Sequence, residues 1–420
     1  MAYVIIGNST AAIAAVEGIR RIDRKTPITI ISDEPFHTYS RPLISYYLGK
    51  KVTEDKMFYR DKDFYKKNNV KTMLGVKAEK INHKKKEVTL GNGDKIGYSK
   101  LLISTGGKPF VPPLEGIDKK NIFNFIKFSD VKEIEKNAEK GSKAIVVGAS
   151  FSGLKAVEAL VQRGVNVTVI DIMDRIMPRV LDGVASSIVE KELENNSVNV
   201  LLNTTVKKIL GRDVATGVLL DGDRELDCDF IILAMGVRCN TDLVKDTGIK
   251  TNRGIIVDNF MQTNVPDIYA AGDVTEGYNF IQNKRMETAI IPNAYKQGEI
   301  AGMNMTGEIK IFDKGFMMNS MPLLELSIIS AGLSEKEERV IEKVVHIPEK
   351  NWYKKFYIKG GRLVGYLIIN DVDRAGIYTR LIRDEIDISS FVDKIGDDEF
   401  GFINFPESLR KACFIEKGVV

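Results

Sequence analysis

The chain has 420 residues, 44% of them hydrophobic and 28% charged, the balance of a globular protein long enough for two or three domains. Its 61 basic and 57 acidic residues leave a net charge of only +4, scattered rather than striped, which gives no support to nucleic-acid binding. No apolar run reaches the roughly 18 residues of a membrane helix, and the chain opens directly in a strand with no room for a secretion signal, so a cytoplasmic protein is expected.

In chain order, Tyr3-Val4-Ile5-Ile6 reads as a buried strand that breaks on Gly7. The segment from Ala11 to Ile22 has a helical pattern, and Ile28-Thr29-Ile30-Ile31 is a second strand ending at Ser32-Asp33-Glu34. A glycine at that break permits a tight turn and close approach to a pyrophosphate, and the helix then points its N-terminal amides at the phosphate. The motif is a degenerate GxGxxG, with Ser9 in the middle position and Ala12 in the third. An irregular stretch follows through Tyr39-Ser40-Arg41-Pro42-Leu43, then an alternating hairpin region around Glu87 to Leu90. Leu101-Leu102-Ile103 is a buried strand closing on Ser104-Thr105-Gly106-Gly107, and Pro109, Pro112 and Pro113 make an extended linker.

The scheme then repeats. Ala144 to Val147 is a strand broken at Gly148, with Ser150 and Gly153 in the remaining motif positions. Leu154 to Arg163 reads as a helix, Gly164 as its C-cap, and Val165 to Ile170 as a strand ending at Asp171. A carboxylate just past the second strand accepts hydrogen bonds from a ribose diol. Phe230 to Leu233 closes this unit and leads through Ala234-Met235 to Gly236. One more strand, Ile268 to Ala270, ends at Ala271-Gly272-Asp273, and a helix is expected from about Thr288 to Met305. The first unit would thus be completed by sequence on both sides of the second. Two such turns imply two dinucleotides in one chain, and hence electron transfer between them.

From about 310 the pattern changes. Lys355 to Ile358 and Arg362 to Ile369 suggest an antiparallel sheet, and Tyr378 to Arg383 a helix. Cys228, Cys239 and Cys413 form no CxxC pair and make no ligand cluster with the three histidines, so no metal site is expected. Cys228 and Cys239 read as core or edge residues of the strand between them.

Together these pieces resemble the two-dinucleotide flavoproteins of the pyridine nucleotide–disulfide oxidoreductase family, and within it the NADH–rubredoxin reductases and the flavin domain of assimilatory nitrite reductases. The resemblance covers essentially the whole chain, including Thr105-Gly106, Met235-Gly236, Ala271-Gly272-Asp273 and Asn293-Ala294-Tyr295-Lys296-Gln297-Gly298. It implies an α/β fold: a FAD domain of residues 1–112 and 241–309, interrupted by an NAD domain of 113–240, and a small α+β C-terminal interface domain of 310–420.

For FAD it implies Gly7, Asn8, Ser9, Ala11 and Ala12 under the pyrophosphate, and Asp33 or Glu34 on the adenosine ribose. Arg41 and Pro42 would lie beside the flavin, Ala78, Thr105 and Gly106 would complete the pocket, and Gly272 would let Asp273 reach the ribitol. The helix after Asp273 would aim its N-terminus at the flavin, where the dipole stabilises negative charge. For NAD the implied set is Gly148, Ser150, Phe151, Ser152, Gly153, Asp171 and Gly236. Asp171 would repel a 2′-phosphate and favour NADH, although Arg175 nearby could welcome one.

The departures matter too. Disulfide reductases of the family carry two cysteines on the first helix, which here has none, and other members carry one in the loop that here reads His37-Thr38-Tyr39-Ser40-Arg41-Pro42. Lys155 stands where many relatives place a glutamate. The resemblance therefore implies an FAD-dependent NADH:acceptor oxidoreductase with no thiol step and no side chain acting as general acid or base. Electrons would pass from NADH through FAD to a one-electron carrier such as rubredoxin or a ferredoxin. The alternatives are a flavin subunit docked on an iron–sulfur subunit, possibly reducing NAD+, and a non-catalytic redox sensor. The segment from Phe402 to Pro406 and from Ser408 to Phe414 would then be either a docking surface or, on the favoured reading, folded back on its own domain.

Overall fold

The computed structural model describes residues 2–335 and 337–415, with the side chains of 412–415, Cys413 and Phe414 among them, outside the description. Its strands, in chain order, are β1 (Tyr3–Ile6), β2 (Ile28–Ser32), β3 (Val70–Leu74), β4 (Lys100–Ile103), β5 (Ile122–Asn124), β6 (Lys143–Val147), β7 (Asn166–Ile170), β8 (Asn199–Leu201), β9 (Phe230–Leu233), β10 (Ile268–Ala270), β11 (Met318–Leu323), β12 (Leu326–Gly332), β13 (Ile341–Ile347), β14 (Trp352–Lys359) and β15 (Arg362–Ile369). The helices used below are α1 (Thr10–Ile22), α2 (Leu43–Leu48), α3 (Phe128–Asn137), α4 (Phe151–Gln162), α5 (Gly183–Asn195), α6 (Ile291–Met305) and α7 (Ala375–Arg383). The remaining strands and turns are given by residue range. The chain forms two compact units, Met1–Ile172 with Ser197–Phe316, and Met173–Asn196 with Met317–Val420.

The first unit is built on two five-stranded sheets, β10-β4-β1-β2-β3 and β8-β7-β6-β9-β5, both parallel throughout. The central strands read as unbroken apolar runs because both faces are covered, as parallel sheets require; every residue of β1 and β2 is buried. The two sheets share one strand plan about β1 and β6. In the first, the outer strand β10 comes late in the chain; in the second, the equivalent β5 comes early. The proline-containing linker is entered through a short strand: residues 107–109 pair antiparallel with 237–239, Lys108 opposite Arg238.

Helix α1 covers the first sheet with Ala11, Ala12, Ile13, Ala15, Val16 and Ile19. It lies against α6 so closely that glycine is needed at the crossing: a Cβ on Gly298 would fall 2.1 Å from Ala11 O, and one on Gly302 2.3 Å from Ala15 O. Small residues on both helices therefore set this contact. The helix expected from Thr288 starts at Ile291, with Pro292 in its first turn where a missing N–H is harmless. Between Asp273 and α6 runs a hairpin, residues 275–279 and 284–287. Helix α4 starts at Phe151 rather than Leu154, and Gly164 takes the expected left-handed conformation, φ 75°, after its end.

The second unit is an antiparallel sheet, β11-β12-β15-β14-β13, with α7 packed on β15. The sequence-predicted stretches in it are parts of β14, β15 and α7. Residues 173–196 cluster with this sheet through Asp182, the N-cap of α5, which accepts from Ala185 N at 3.1 Å, from Lys355 Nζ at 3.1 Å and from the Tyr353 hydroxyl. Phe391, Phe400 and Phe405 stack beside Tyr378, so Phe405 folds back onto its own domain while Ile403 is 79% exposed. No helix among the described residues is long and apolar enough to cross a membrane.

Candidate functional site

The first glycine turn joins β1 to α1. Gly7 has φ 122°, and a Cβ there would lie 2.2 Å from Ser104 O, so no other residue fits. Ser9 occupies the N-cap of α1 but makes no side-chain cap; its Oγ instead accepts from Arg41 Nε at 3.3 Å. The first amides of α1 therefore keep no side-chain acceptor of this kind, the condition for binding an anion there. Asn8 is fixed by Tyr65, whose hydroxyl donates to Oδ1 at 2.7 Å, and by its own Nδ2 donating to Phe36 O at 3.2 Å. Ala12 is fully buried, so its methyl serves the core.

Gly272, φ 82°, closes on this turn: a Cβ built on it would meet the Ala11 methyl at 3.1 Å and that of Ala294 at 3.6 Å. Its N–H donates to Gln297 Oε1 at 2.8 Å. The first turns of α1 and α6 and the Gly272-Asp273 step thus converge. Burial pushes the Asp273 carboxyl above the usual carboxylate range, and the nearby Arg41 charge opposes this.

The two carboxylates after β2 part company. Glu34 is buried and accepts from the Tyr39 hydroxyl at 2.6 Å and from Arg41 Nη2 at 2.5 Å. It shares a small cavity with Asn8, Ser9, Ser32, Tyr39 and Arg41. Asp33 is exposed and pairs with Lys127 Nζ at 2.7 Å. Arg41 also donates through Nη1 to Ile126 O at 3.0 Å, and Pro42 stands exposed at the N-cap of α2. Ala78 opens the strand 78–82, two residues past Val76, whose N–H donates to Ser32 O at 2.9 Å. Thr105 donates from Oγ1 to Asn240 O at 2.8 Å, and Gly106, φ 66°, has nothing within 4 Å on the side a Cβ would occupy.

The second turn joins β6 to α4 and uses its serines differently. A Cβ on Gly148 would fall 2.4 Å from Ala234 O, and one on Gly153 2.0 Å from Gly148 O. Ser150 donates to Ala234 O at 2.9 Å and accepts from Gly153 N at 3.4 Å, with Ser152 Oγ 3.1 Å away. A hydroxyl in the middle motif position therefore ties the turn to the end of β9. Asp171 Oδ2 accepts from Ala149 N at 2.6 Å, which puts the carboxylate after β7 onto the turn. Phe151 is partly buried in the first turn of α4, and Gly236, φ 117°, faces open space. Arg175 pairs with its neighbour Asp174 at 3.1 Å.

Helix α2, which follows Arg41-Pro42, packs on α4 of the second turn, and here the structure adds residues that no motif marks. Lys155 stands 4.9 Å from the centre of the Tyr46 ring and pairs with the buried Glu158, which Lys51 approaches to 3.6 Å. Gln297, Asn240 and Tyr39 are further additions. The only sequence signal for them is position: Tyr39 and Tyr46 flank Arg41-Pro42, and Gln297 lies within the stretch that follows Asp273. Among the described residues no group of three metal-ligating side chains gathers.

The arrangement fits a dinucleotide at each turn: glycines that exclude a Cβ, a helix start without a side-chain cap at the first, a carboxylate in place at the second, and open faces at Gly106 and Gly236. Residues 1–298 match the family model for pyridine nucleotide-disulphide oxidoreductase, and residues 318–386 that for the rubredoxin NAD+ reductase C-terminal domain. The chain is 30% identical to nitrite reductase [NAD(P)H] of Bacillus subtilis over 92% of its own length, but spans only 48% of that relative. It is 28% identical to NADH-rubredoxin oxidoreductase of Clostridium acetobutylicum, covering 93% of this chain and 96% of that one. The crystal structure of NADH:rubredoxin oxidoreductase from that organism superposes with a TM-score of 0.75 at 26% identity, over 91% of this chain and 95% of the other. By the match over its first 298 residues, the chain belongs to the pyridine nucleotide-disulphide oxidoreductase family, as an oxidoreductase that uses FAD and NAD(H).

Proposed function

We propose that this protein takes electrons from NADH at the second turn and passes them, through FAD held at the first, to a small one-electron carrier protein. The observation that supports the reading is that both glycine turns lie in one compact unit, where α2, which follows Arg41-Pro42, packs on α4, the helix of the second turn. FAD, when bound, supplies the conversion of a hydride pair into single electrons. The chain's own residues bind and orient. The first turn of α1 would hold the pyrophosphate, Glu34 the adenosine ribose, and Asp273 the ribitol, with Arg41 fixing Ser9 and Glu34 relative to one another. Asp171 and the Gly148–Gly153 turn would hold NAD, and a carboxylate there disfavours a 2′-phosphate.

Each NADH yields NAD+, one proton and two electrons, so two oxidised carriers are reduced in succession. This reading assigns residues 1–112 with 241–309 to FAD, 113–240 to NAD and 310–420 to an interface domain. It also places the reaction in the cytoplasm, and it makes the carrier a rubredoxin or ferredoxin, in keeping with the rubredoxin-reductase type of the C-terminal region. No cysteine stands on α1 or in residues 37–42, so the route needs no disulfide.

Anaerobic titration of the FAD-loaded protein with NADH tests the reading. We expect about one equivalent of NADH to bleach the flavin spectrum and NADPH to do so far less readily; a flavin that NADH leaves oxidised would overturn it.

A further inference from the structure

We infer that the loop of residues 53–62 is the docking surface for the electron carrier, and that the carrier presents an acidic face to it. This rests on the proposed NADH-to-carrier reading. The loop backs directly onto the segment that lines the first nucleotide turn. Tyr59 N donates to Thr38 O at 3.0 Å and Ser40 N to Met57 O at 2.8 Å, and Tyr39 bridges Phe58 in antiparallel pairing. Tyr39 and Arg41 line the cavity beside Ser9, so one strand spacing, about 5 Å, separates the loop backbone from the segment that walls the site.

The loop is also anchored to the two helices that converge on that turn. Arg60 Nε donates to Glu17 Oε1 on α1 at 2.7 Å, and the Tyr295 hydroxyl on α6 donates to Glu17 Oε2 at 2.9 Å. A carrier seated on a rigidly held loop keeps a fixed distance to the site.

Its surface has the chemistry of a docking patch. An open cavity of ≈ 390 Å³ is lined by Asp55, Phe58, Tyr59, Arg60, Asp61 and Lys62. Lys62 Nζ lies 5.4 Å from the centre of the partly exposed Phe58 ring, and the Arg60 guanidinium 4.3 Å from that of Tyr59. From 50 to 67 the sequence places seven basic residues against four acidic ones. Glu54 is engaged with Lys132 at 2.9 Å, Asp63 with Lys67 at 2.8 Å, Arg60 with Glu17 at 2.7 Å and Lys51 with Glu158 at 3.6 Å, which leaves Lys50, Lys56, Lys62 and Lys66 against Asp55 and Asp61. Lys56, Lys62 and Lys66 are exposed. Aromatic rings under a cationic rim suit a small protein with carboxylates around its metal centre. Other lysine-rich turns, such as Lys84-Lys85-Lys86, have equal charge, but the turn 83–86 belongs to the hairpin of 78–82 and 87–90, which offers no such pairing to residues 38–40.

The test uses the FAD-loaded full chain with NADH and a purified rubredoxin of net negative charge. The double variant K56E/K62E should lower kcat/KM for rubredoxin about tenfold at low ionic strength, with the loss shrinking as salt screens the patch. The rate of flavin bleaching by NADH should stay within about twofold of the parent, and K56R/K62R and K84E/K85E should behave as the parent does. An unchanged kcat/KM in K56E/K62E, or an equal loss in K84E/K85E, overturns the surface. A parent protein bleached by NADH that reduces no rubredoxin overturns the carrier reading and the surface with it; one that NADH does not bleach fails earlier, at the hydride step.

Discussion

Lys155 and Tyr46 meet face to ammonium, 4.9 Å from Nζ to ring centre, Lys155 about one helical turn into α4 from the second nucleotide turn and Tyr46 about one helical turn into α2 from Arg41-Pro42. Lys155 also neutralises the buried Glu158. Removing one partner of a buried pair costs about 3–5 kcal/mol, but Lys51, 3.6 Å from Glu158, remains to share the charge. We expect Lys155→Met to cost about 1–2 kcal/mol and to slow NADH bleaching of the flavin about tenfold, equivalent to about 1.4 kcal/mol of barrier. FAD content should be unchanged and Lys155→Arg should restore most of the rate. Stopped-flow reduction beside urea unfolding measures both; a normal rate in a destabilised Lys155→Met would make the pair purely structural.

The α1–α6 crossing makes a packing prediction. Gly298→Ala and Gly302→Ala each drive a methyl into a carbonyl oxygen of α1, and such overpacking costs about 1–3 kcal/mol. Both should lower the melting temperature by several degrees and loosen FAD, because the same helices form the first turn. Gly183→Ala, where a Cβ meets nothing within 4 Å, should leave the melting curve in place.

At Asp171 charge and hydrogen bonding can be separated. The carboxylate accepts from Ala149 N at 2.6 Å. Asp171→Ala loses the anchor of the turn, and a charge-assisted bond of about 1.5–3 kcal/mol implies a rise in KM for NADH of about tenfold or more. Asp171→Asn keeps an acceptor but drops the charge, so NADPH should gain on NADH while the turn holds. Steady-state kinetics with both nucleotides read the two effects apart.

Asp273 gives the FAD-free protein a pH signature. Its carboxyl is raised by burial, so between the ordinary carboxylate value and its own the folded state binds more protons than the unfolded one. Stability should therefore fall as pH rises through that window and level off above it. Urea unfolding of FAD-free protein from about pH 4 to 7 should show this slope, and Asp273→Asn should flatten it.

The thiols should be silent. Burial pushes Cys228 up to about 12 and Cys239 to about 11, the carboxylates of Glu287, Asp273 and Glu276 adding to the second. At pH 8 both are protonated and poor nucleophiles. Peptide mapping after iodoacetamide treatment should find both unmodified in the folded protein and both alkylated after denaturation; rapid labelling of either in the native state would contradict the burial.

The turns were legible because each pairs an unbroken apolar strand with a glycine whose Cβ has nowhere to go, a constraint written within ten residues. The choice between Asp33 and Glu34 was not. Neighbours on a strand end point to opposite sides, and what turns Glu34 inward is Tyr39 and Arg41, from a stretch with no regular pattern. The Lys155–Tyr46 contact joins residues of different repeat units, beyond the reach of periodicity. By position helix α5 falls within the expected NAD domain of 113–240, but Asp182 finds its partner in Tyr353, 171 residues away.

The order of strands in the first sheet sets a schedule for synthesis. Its edge strand β10 and the helix α6 that packs on α1 are translated only after the whole second sheet. At about 5–20 residues per second, roughly ten to thirty seconds pass on the ribosome between β4 and β10. During that time α1 has no α6 to cover it, while the second sheet, continuous from β5 to β9, has all its strands. The nucleotide turn written first in the gene is the later of the two to be finished.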